Sequence, residues 1–346
     1  MENASSVTSN VSHSDNTLPD YLKTTVFVCD HVLMPTFVVL GIVGNGLSLC
    51  VLTRRNMAAV TTRFLIALAA SDLLLLILQI PGFFILNKAY SAASLSIKRF
   101  IGIYALIRYV MNNVFITCTG WLTVALAIER CISIRYSMFH PRLVCTIFRA
   151  RLAITGIFIA SFMFHFSKFF EYTPNEDLNL PPMLLPTDLV KTPEYETYLH
   201  TTNIALAAII PVFLLIIANS FLIYFLATHR RRMLRHKGTS TSNMTSVDMI
   251  HVSAIVVATV LVFIVCHSVG VVLALTIAAR GREVVFKLSP YIALKHINTL
   301  LVMINSSVNF LFYCAVSSKF RKTFAIVFKT QFLRKGTHTS YRLTTT

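Results

Sequence analysis

The chain is poor in charged residues, and in acidic residues above all. Only 13% of its 346 residues are charged, with 14 Asp and Glu against 31 Lys and Arg. A soluble domain carries about twice that charged fraction. Since 55% of the residues are hydrophobic, the composition excludes an ordinary soluble domain and favours a protein that lies within a lipid bilayer.

The chain also lacks an early apolar stretch of the kind found in cleavable signal peptides. Residues 1–30 are polar and rich in Ser, Asn and Thr, which predicts a disordered segment. The first apolar run is therefore expected to act as a signal anchor. Cysteine is scarce where disulfides form, because only Cys29 lies on the side predicted below to be extracellular. We expect no disulfide.

Seven stretches are long and apolar enough to cross a bilayer, which takes about 20 residues per helix because each backbone N–H and C=O must be paired without water. The predicted spans are Val32–Thr53, Thr61–Leu86, Ile101–Ile132, Leu152–Phe170, Thr201–Ala227, Val252–Ala279 and Tyr291–Cys314. Residues 316–330 alternate basic and apolar positions, which predicts an amphipathic helix on the membrane surface. The fold class is therefore all-α, a seven-helix membrane bundle over residues 31–315 followed by that helix.

Most Lys and Arg residues fall between spans one and two, three and four, and five and six, and after span seven. By the positive-inside rule, the N-terminus is outside the plasma membrane and the C-terminus inside. The net charge of +17 then reflects attraction to an anionic inner leaflet, so no nucleic-acid partner is expected. Asn3 and Asn10 begin glycosylation sequons on the outer side.

The third span ends in a carboxylate and a guanidinium side by side, Glu129 and Arg130. Charges at a membrane boundary are costly. The stretch Trp121-Leu-Thr-Val-Ala-Leu-Ala-Ile-Glu-Arg-Cys resembles the third helix of rhodopsin-like (class A) G protein-coupled receptors. The resemblance implies that Arg130 pairs with Glu129 at rest and is freed on activation to meet a heterotrimeric G protein. The structural alternative is an arginine that snorkels to the interface.

Two further motifs resemble this family without its prolines. The sixth span has Phe263-Ile-Val-Cys-His267-Ser-Val269, with His for Trp and Val for Pro, and the seventh has Asn309-Phe-Leu-Phe-Tyr313, with Phe310 for Pro. The seventh helix is therefore expected to be straighter. By resemblance, the activation switch joins the following residues: Glu129, Arg130, Asp248, Phe263, His267, Asn309 and Tyr313.

Asp72 lies near the middle of the second span, where an ionised carboxylate needs partners. The resemblance implies an allosteric sodium site, with no other cofactor, built from Asp72, Thr119, Asn305, Ser306 and Asn309. A carboxylate with hydroxyl and amide oxygens suits a hard cation. The alternative is a polar zipper that only packs the helices, and it competes most strongly for Asn45.

The positions at which the family binds retinal and amines are changed. Met303 stands in place of the Schiff-base Lys, and Asn112 in place of the amine-binding Asp, so neither ligand is expected. Invertebrate neuropeptide receptors of the FMRFamide type are similar in five segments: Gly44-Asn-Gly-Leu-Ser, Leu143-Val-Cys-Thr-Ile-Phe-Arg-Ala-Arg151, Phe169-Phe-Glu-Tyr172, Cys266-His267 and Asn305-Ser-Ser-Val-Asn-Phe-Leu-Phe-Tyr-Cys314.

A peptide ligand would meet polar residues at the outer end of the bundle. The candidates are Arg108, Asn112, Glu171, His267, Glu283, Lys295 and His296. Glu171 or Glu283 would bind the guanidinium of an Arg-Phe-amide ligand. The excess of Arg108, Lys168 and Lys295 equally favours an acidic peptide. Each candidate is otherwise a solvated helix-end residue.

The leading hypothesis is a peptide-activated receptor that promotes nucleotide exchange on a G protein and is not itself an enzyme. The tail, residues 331–346, is rich in hydroxyls, and its phosphorylation by a receptor kinase would recruit arrestin. The alternatives are a transporter or channel, or a receptor for a non-peptide small molecule. The odd number of spans and the lack of internal repeats weigh against a transporter.

Overall fold

The structure, a computed structural model, describes residues 19–85, 94–136, 146–175, 184–198, 205–235, 242–285 and 288–328. Seven helices within these ranges are long and apolar enough to cross a membrane. The protein is therefore a multi-pass membrane protein, and the predicted seven-helix fold is confirmed.

The membrane helices are counted here in chain order. The first comprises Asp20–Val26, the π-helical Phe27–Leu33 and Met34–Leu52; the second Val60–Ile77 and Ile80–Ile85; the third Leu95–Tyr136; the fourth Ile147–His165 with the 3₁₀ turn Phe166–Phe170; the fifth the π-helical Ala205–Ile209 and Ile210–Arg235; the sixth Ser242–Arg280; and the seventh Ser289–Val316. Short helices are Arg55–Met57, Asp188–Lys191, Pro193–Tyr198 and Arg282–Val285. Strand Tyr172–Pro174 pairs antiparallel with Leu184–Pro186.

The first helix differs from its predicted extent because it begins at Asp20 rather than at Val32. The sequence boundary placed between residues 30 and 31 therefore falls inside a helix. The first turns contain polar residues such as Asp20 and Lys23, so the sequence shows no apolar run there. In the helix these two residues form an ion pair at 4.0 Å.

Prolines explain where the helices depart from α geometry. The two π-helical segments, Phe27–Leu33 and Ala205–Ile209, each end shortly before a proline, Pro35 or Pro211. A wider turn separates the proline ring from the carbonyl four residues earlier. The seventh helix, with Phe310 at the proline position, is one continuous α-helix, as its sequence predicts.

Pro81 coincides with a break in the second helix. The α-helix ends at Ile77 and resumes at Ile80, because a proline offers no N–H to the carbonyl four residues before it. Gly82 N–H donates to the Gln79 carbonyl at 3.0 Å rather than to Leu78. The carbonyl of Leu78 accepts a hydrogen bond from the Tyr104 hydroxyl. A polar contact therefore joins the last turns of the second helix to the first turns of the third.

The third helix is the centre of the bundle. Of its most apolar stretch, 61% is buried, against 11% in the fourth helix. Its buried residues Val114, Leu122 and Leu126 belong to one hydrophobic core that also contains Leu68 of the second helix and Phe263 of the sixth. A shift of the third helix would therefore be felt by most of the bundle.

The seventh helix continues after Ser317 into a helix over residues 318–328. Phe320, Thr323 and Val327 are buried in it, whereas Lys319 and Lys322 are exposed. This alternation gives the predicted amphipathic helix. Its position is fixed by two further contacts: Arg321 Nη1 donates to the carbonyls of Cys314 and Ala315 at 2.9 Å each, and Asn56 Nδ2 donates to Thr323 Oγ1 at 2.8 Å.

Candidate functional site

Glu129 and Arg130 form a buried ion pair at one end of the third helix. Arg130 Nε and Nη2 each donate to the Glu129 carboxylate at 2.7 Å. Arg130 is only 9% exposed and Glu129 only 6%. The predicted pairing is therefore present. A two-point contact of this kind fixes the direction of the guanidinium as well as its distance.

Two hydroxyls complete this pair. Thr61, at the start of the second helix, donates to Glu129 Oε2 at 3.0 Å and also accepts from Arg130 Nη2. Ser133 donates to Glu129 Oε1 at 2.9 Å. The pair therefore ties the third helix to the second. Neither hydroxyl was identified from the sequence. The available signal for Thr61 was its position at the end of a predicted helix.

The carboxylate of Asp72 joins three helices. Its Oδ1 accepts from Thr119 of the third helix at 3.1 Å, and its Oδ2 accepts from Asn309 Nδ2 of the seventh at 2.8 Å. Asp72 is fully buried. The structure thus brings Asp72 together with Thr119, Asn309 and Ser306. Asn305, one turn before Asn309 on the seventh helix, is buried at 4% exposure.

The donor set of this cluster fits a small hard cation. Ser306 Oγ is buried and interacts with the Asp72 carboxylate, so a hydroxyl oxygen lies beside that carboxylate. Oxygen ligands of this type suit such an ion. Asn45 Nδ2 donates instead to the backbone carbonyl of Ser306 at 2.7 Å, which is the helix-packing role expected for it.

In the sixth helix, the rings of Phe263 and His267 stack, with centroids 4.0 Å apart and planes inclined by 22°. Phe263 also touches the third helix, because a Cβ on Gly120 would lie 3.3 Å from Phe263 Cζ. His267 is 8% exposed and its Nε2 has no partner among the described residues. The altered Phe-His pair therefore couples the sixth helix to the third.

Tyr313 of the seventh helix is 1% exposed, and its hydroxyl lacks a hydrogen-bond partner in the described part of the chain. Asn219 Oδ1 of the fifth helix is also buried without a hydrogen-bond partner among the described residues. A buried polar atom without a partner costs about 1–3 kcal/mol. Both atoms would therefore be stabilised by any change that gives them a partner.

Some predicted site residues lie outside the described parts. Asn3 and Asn10 precede residue 19, where the description begins, and the tail over residues 331–346 follows its end. Asp248 lies on the sixth helix and Glu283 on the short helix Arg282–Val285, but their side chains are not among those described. Of the cysteines, Cys145 is likewise outside, and the other six are free thiols.

At the opposite end of the third helix, Glu171 is held in a closed polar network. Its carboxylate accepts from Tyr109 at 2.5 Å, Tyr195 at 2.9 Å and Lys168 Nζ at 3.3 Å. Glu171 is 1% exposed and Lys168 4% exposed. A ligand guanidinium would reach Glu171 only by displacing Lys168 or Tyr195. Sequence reasoning did not bring these four residues together.

The strand pair Tyr172–Pro174 and Leu184–Pro186 rests on this network. Thr187 N–H, just after the second strand, donates to the Glu171 carbonyl at 3.0 Å, and a Cβ on Gly102 of the third helix would lie 2.8 Å from Pro174 Cβ. Burial raises the pKa of Tyr195 from its ordinary 10.0 to about 12, and the negative Glu171 carboxylate adds to the rise. Tyr195 therefore remains a hydrogen-bond donor at physiological pH.

Of the other predicted ligand-binding residues, some are hydrogen-bonded within the chain and others are partly or fully exposed. Asn112 Oδ1 accepts from Gln79 Nε2 at 3.0 Å, and His296 Nδ1 lies 2.8 Å from Asp30 Oδ2. Lys295 is exposed. Arg108 is half-buried, with its guanidinium against Gly82 of the second helix.

Seven membrane helices around a central third helix, with a buried acid–arginine pair at one end, are the architecture of a seven-helix membrane receptor. The family model described as serpentine type 7TM GPCR chemoreceptor Srw matches residues 32–331. Because this match covers most of the chain, the protein belongs to that family and is a G protein-coupled receptor.

Several receptors are similar to the chain over most of its length. An FMRFamide peptide receptor of Caenorhabditis elegans is 26% identical over 297 residues, covering 84% of this chain and 67% of that protein. The sex peptide receptor of Drosophila melanogaster is 24% identical over 335 residues, covering 90% and 75%. The FMRFamide receptor of Drosophila melanogaster is 26% identical over 312 residues, covering 87% and 54%.

These likenesses confirm the predicted resemblance to FMRFamide-type receptors within the G protein-coupled class. The alternative of a transporter or channel is set aside, because the family is one of receptors. Its members are receptors rather than enzymes.

Proposed function

We propose that the protein is activated by an extracellular peptide and promotes nucleotide exchange on a heterotrimeric G protein at the plasma membrane, with its N-terminus outside. Support comes from the family and from relatives named as receptors for FMRFamide peptides and for sex peptide. The distribution of Lys and Arg supports the orientation.

The observation that carries the proposal is the bidentate Glu129–Arg130 pair, closed by Thr61. A buried guanidinium is costly unless it is paired, so Arg130 has two stable arrangements: bound to Glu129, or bound to another partner. In the resting receptor it is bound to Glu129. On activation Arg130 leaves this carboxylate and contacts the G protein, which makes the pair a bistable element of the kind that a ligand can bias.

The outer and inner ends are coupled through the third and sixth helices. Phe263 packs against Gly120, and its stacked partner His267 lies on the same face one turn further along the helix. A rotation of the sixth helix would separate these contacts and release the core around Arg130. Tyr313 and Asn219, whose buried oxygens lack partners in the described part of the resting structure, are the groups that we assign to the active arrangement.

Asp72 is assigned to an allosteric sodium site with Thr119, Asn305, Ser306 and Asn309. When bound, sodium would supply a positive charge that neutralises the buried carboxylate. The chain supplies the oxygens: the Asp72 carboxylate, the Ser306 hydroxyl and the neighbouring amide and hydroxyl groups hold the second, third and seventh helices in their resting arrangement. Loss of this clamp would favour the active arrangement.

Contacts after the bundle complete the proposal. The exposed Lys319 and Lys322 of the surface helix would lie at the anionic headgroups of the bilayer. The hydroxyl-rich tail would be phosphorylated by a receptor kinase and recruit arrestin, as its sequence predicts.

The test is guanine-nucleotide exchange in membranes from cells that express the full chain, measured against a panel of amidated peptides. A peptide-dependent increase that disappears in Arg130→Ala supports the proposal. The matched control is Arg135→Ala, an exposed arginine five residues further along the helix, which should retain the response. If no peptide raises exchange, or if the response survives Arg130→Ala, the proposal is wrong.

A further inference from the structure

Arg108 is a guanidinium without a counter-charge in the described part of the chain. It lies on the third helix near the outer end and is half-buried. No ion pair or hydrogen bond to a described residue satisfies it. An ionisable side chain within a membrane bundle is by default a site for a partner, because leaving it partly desolvated and unpaired is costly.

The Arg108 side chain points into the bundle rather than towards the lipid. Gly82 of the second helix is buried, and a Cβ on it would lie only 2.9 Å from Arg108 Nη1. The guanidinium therefore occupies the space that a glycine leaves free between the second and third helices. One turn deeper on the same face, Asn112 is bound by Gln79, so the cleft below Arg108 is closed by a neutral polar pair.

The partly or fully buried carboxylates described at this end of the bundle are already paired. Glu171 is held by Lys168 and two tyrosines, and Asp30 is held by His296 at 2.8 Å. These two carboxylates are thus engaged within the chain, whereas no salt bridge joins Arg108 to a described carboxylate. The surroundings of the Arg108 guanidinium are therefore complementary to a negative group.

We infer that Arg108 binds a carboxylate of the activating peptide, an inference that rests on the proposed function and names the ligand chemistry of its site. The planar guanidinium matches a carboxylate with two parallel hydrogen bonds. The carboxylate belongs either to an Asp or Glu side chain or to a free C-terminus. The guanidinium of an Arg-Phe-amide peptide, by contrast, would find Glu171 occupied and Arg108 repulsive.

The test uses four matched synthetic peptide libraries on membranes that contain the full-length receptor. One library carries Glu with an amidated C-terminus, the second Gln with an amide, the third Gln with a free C-terminal carboxylate, and the fourth Lys with an amide. The concentration for half-maximal nucleotide exchange is measured for each. We expect activity in the first or third library, which tells the two carboxylate sources apart.

Three variants and one control then test the residue. Arg108→Gln should raise the half-maximal concentration of the active peptide about 10- to 100-fold, and Arg108→Lys should raise it less because the charge is kept. Arg108→Glu should respond to peptides of the Lys library, a gain that misfolding cannot produce. Arg99→Gln, which removes an exposed arginine of the same helix, should leave the value within about twofold.

The outcomes separate this inference from the proposed function. If the Gln amide peptides are as potent as their acidic counterparts, or if Arg108→Gln does not change the half-maximal concentration, the inference is overturned while peptide activation stands. If no library raises nucleotide exchange, peptide activation falls and the inference falls with it.

Discussion

Asn309 Nδ2 donates a 2.8 Å hydrogen bond to Asp72 Oδ2, which joins the seventh helix to the second in the middle of the membrane. The other carboxylate oxygen accepts from Thr119 of the third helix. A fully buried carboxylate is thus held by neutral donors alone among the described residues. A cation that binds in the cluster would strengthen the resting arrangement. If Asp72 lost its charge, the resting arrangement would depend less on that cation.

Replacing Asp72 by Asn should abolish the effect of sodium on the receptor. The amide keeps the size of the side chain but removes the charge that attracts a cation. Agonist affinity is measured in sodium chloride and in the chloride of a large organic cation. The wild type should bind agonist more weakly in sodium, and the variant should show no difference.

The control for this prediction is Ser48→Ala, which removes a buried hydroxyl that donates to the Gly44 carbonyl at 2.9 Å. It should keep the sodium effect. A wild-type receptor that does not respond to sodium, or an Asp72→Asn receptor that still does, would contradict the assignment.

The Lys168–Glu171 pair should stabilise the outer end as a unit. Removing one partner of a buried ion pair costs about 3–5 kcal/mol, because the other charge is left uncompensated. Lys168→Met should therefore lower the unfolding temperature of the solubilised receptor strongly, and Lys168→Met with Glu171→Gln should recover part of the loss. Lys295→Met, at an exposed site, is the control. Additive losses in the double variant would count against a coupled pair.

Tyr195→Phe should destabilise the receptor by about 1–3 kcal/mol, since Glu171 then loses a buried donor. The pKa of Tyr195 is raised to about 12 in the folded protein from 10.0. A raised pKa means that the stabilisation is fully present below pH 10 and is lost only as the pH passes 12. The difference in unfolding temperature between wild type and variant should therefore be constant from pH 7 to pH 9. A difference that shrinks within that interval would show that the phenol ionises there.

Gly44 is required for the contact between the first and seventh helices. A Cβ at this position would lie 2.9 Å from Phe310 Cβ, so Gly44→Ala forces the helices apart and costs about 1–3 kcal/mol. Surface expression and unfolding temperature should both fall. The matched control is Gly46→Ala, where nothing lies within 4 Å of the added carbon. Equal effects of the two substitutions would mean that the close approach is unimportant.

The sequence predicted those parts of the molecule that follow from the cost of charge and polar backbone in lipid. The seven spans and the need of Asp72 for polar partners belong to this group, whereas the Glu129–Arg130 pair and the grouping of Asp72 with Thr119 and Asn309 were implied by the resemblance to the receptor family. Their chain neighbours and helical spacing limited the choice of partner.

Other features depend on contacts that no local pattern reveals. Thr61 meets Glu129, and Tyr195 meets Glu171, across long stretches of chain and from different elements. Lys168 reaches Glu171 because the fourth helix ends in a 3₁₀ turn. The sequence predicted only a continuous helical span here, so this contact could not be foreseen. The early start of the first helix was hidden because its first turns are polar.

The central claim is that Arg130 is restrained by Glu129 at rest and acts on the G protein when released. The most direct measurement is ligand-free nucleotide exchange in membranes with equal amounts of wild type, Glu129→Gln and Glu129→Gln with Arg130→Ala. The account predicts a rise of about fivefold or more in Glu129→Gln and a return to background when Arg130 is also removed. Unchanged exchange in Glu129→Gln, or a rise that persists without Arg130, would contradict it.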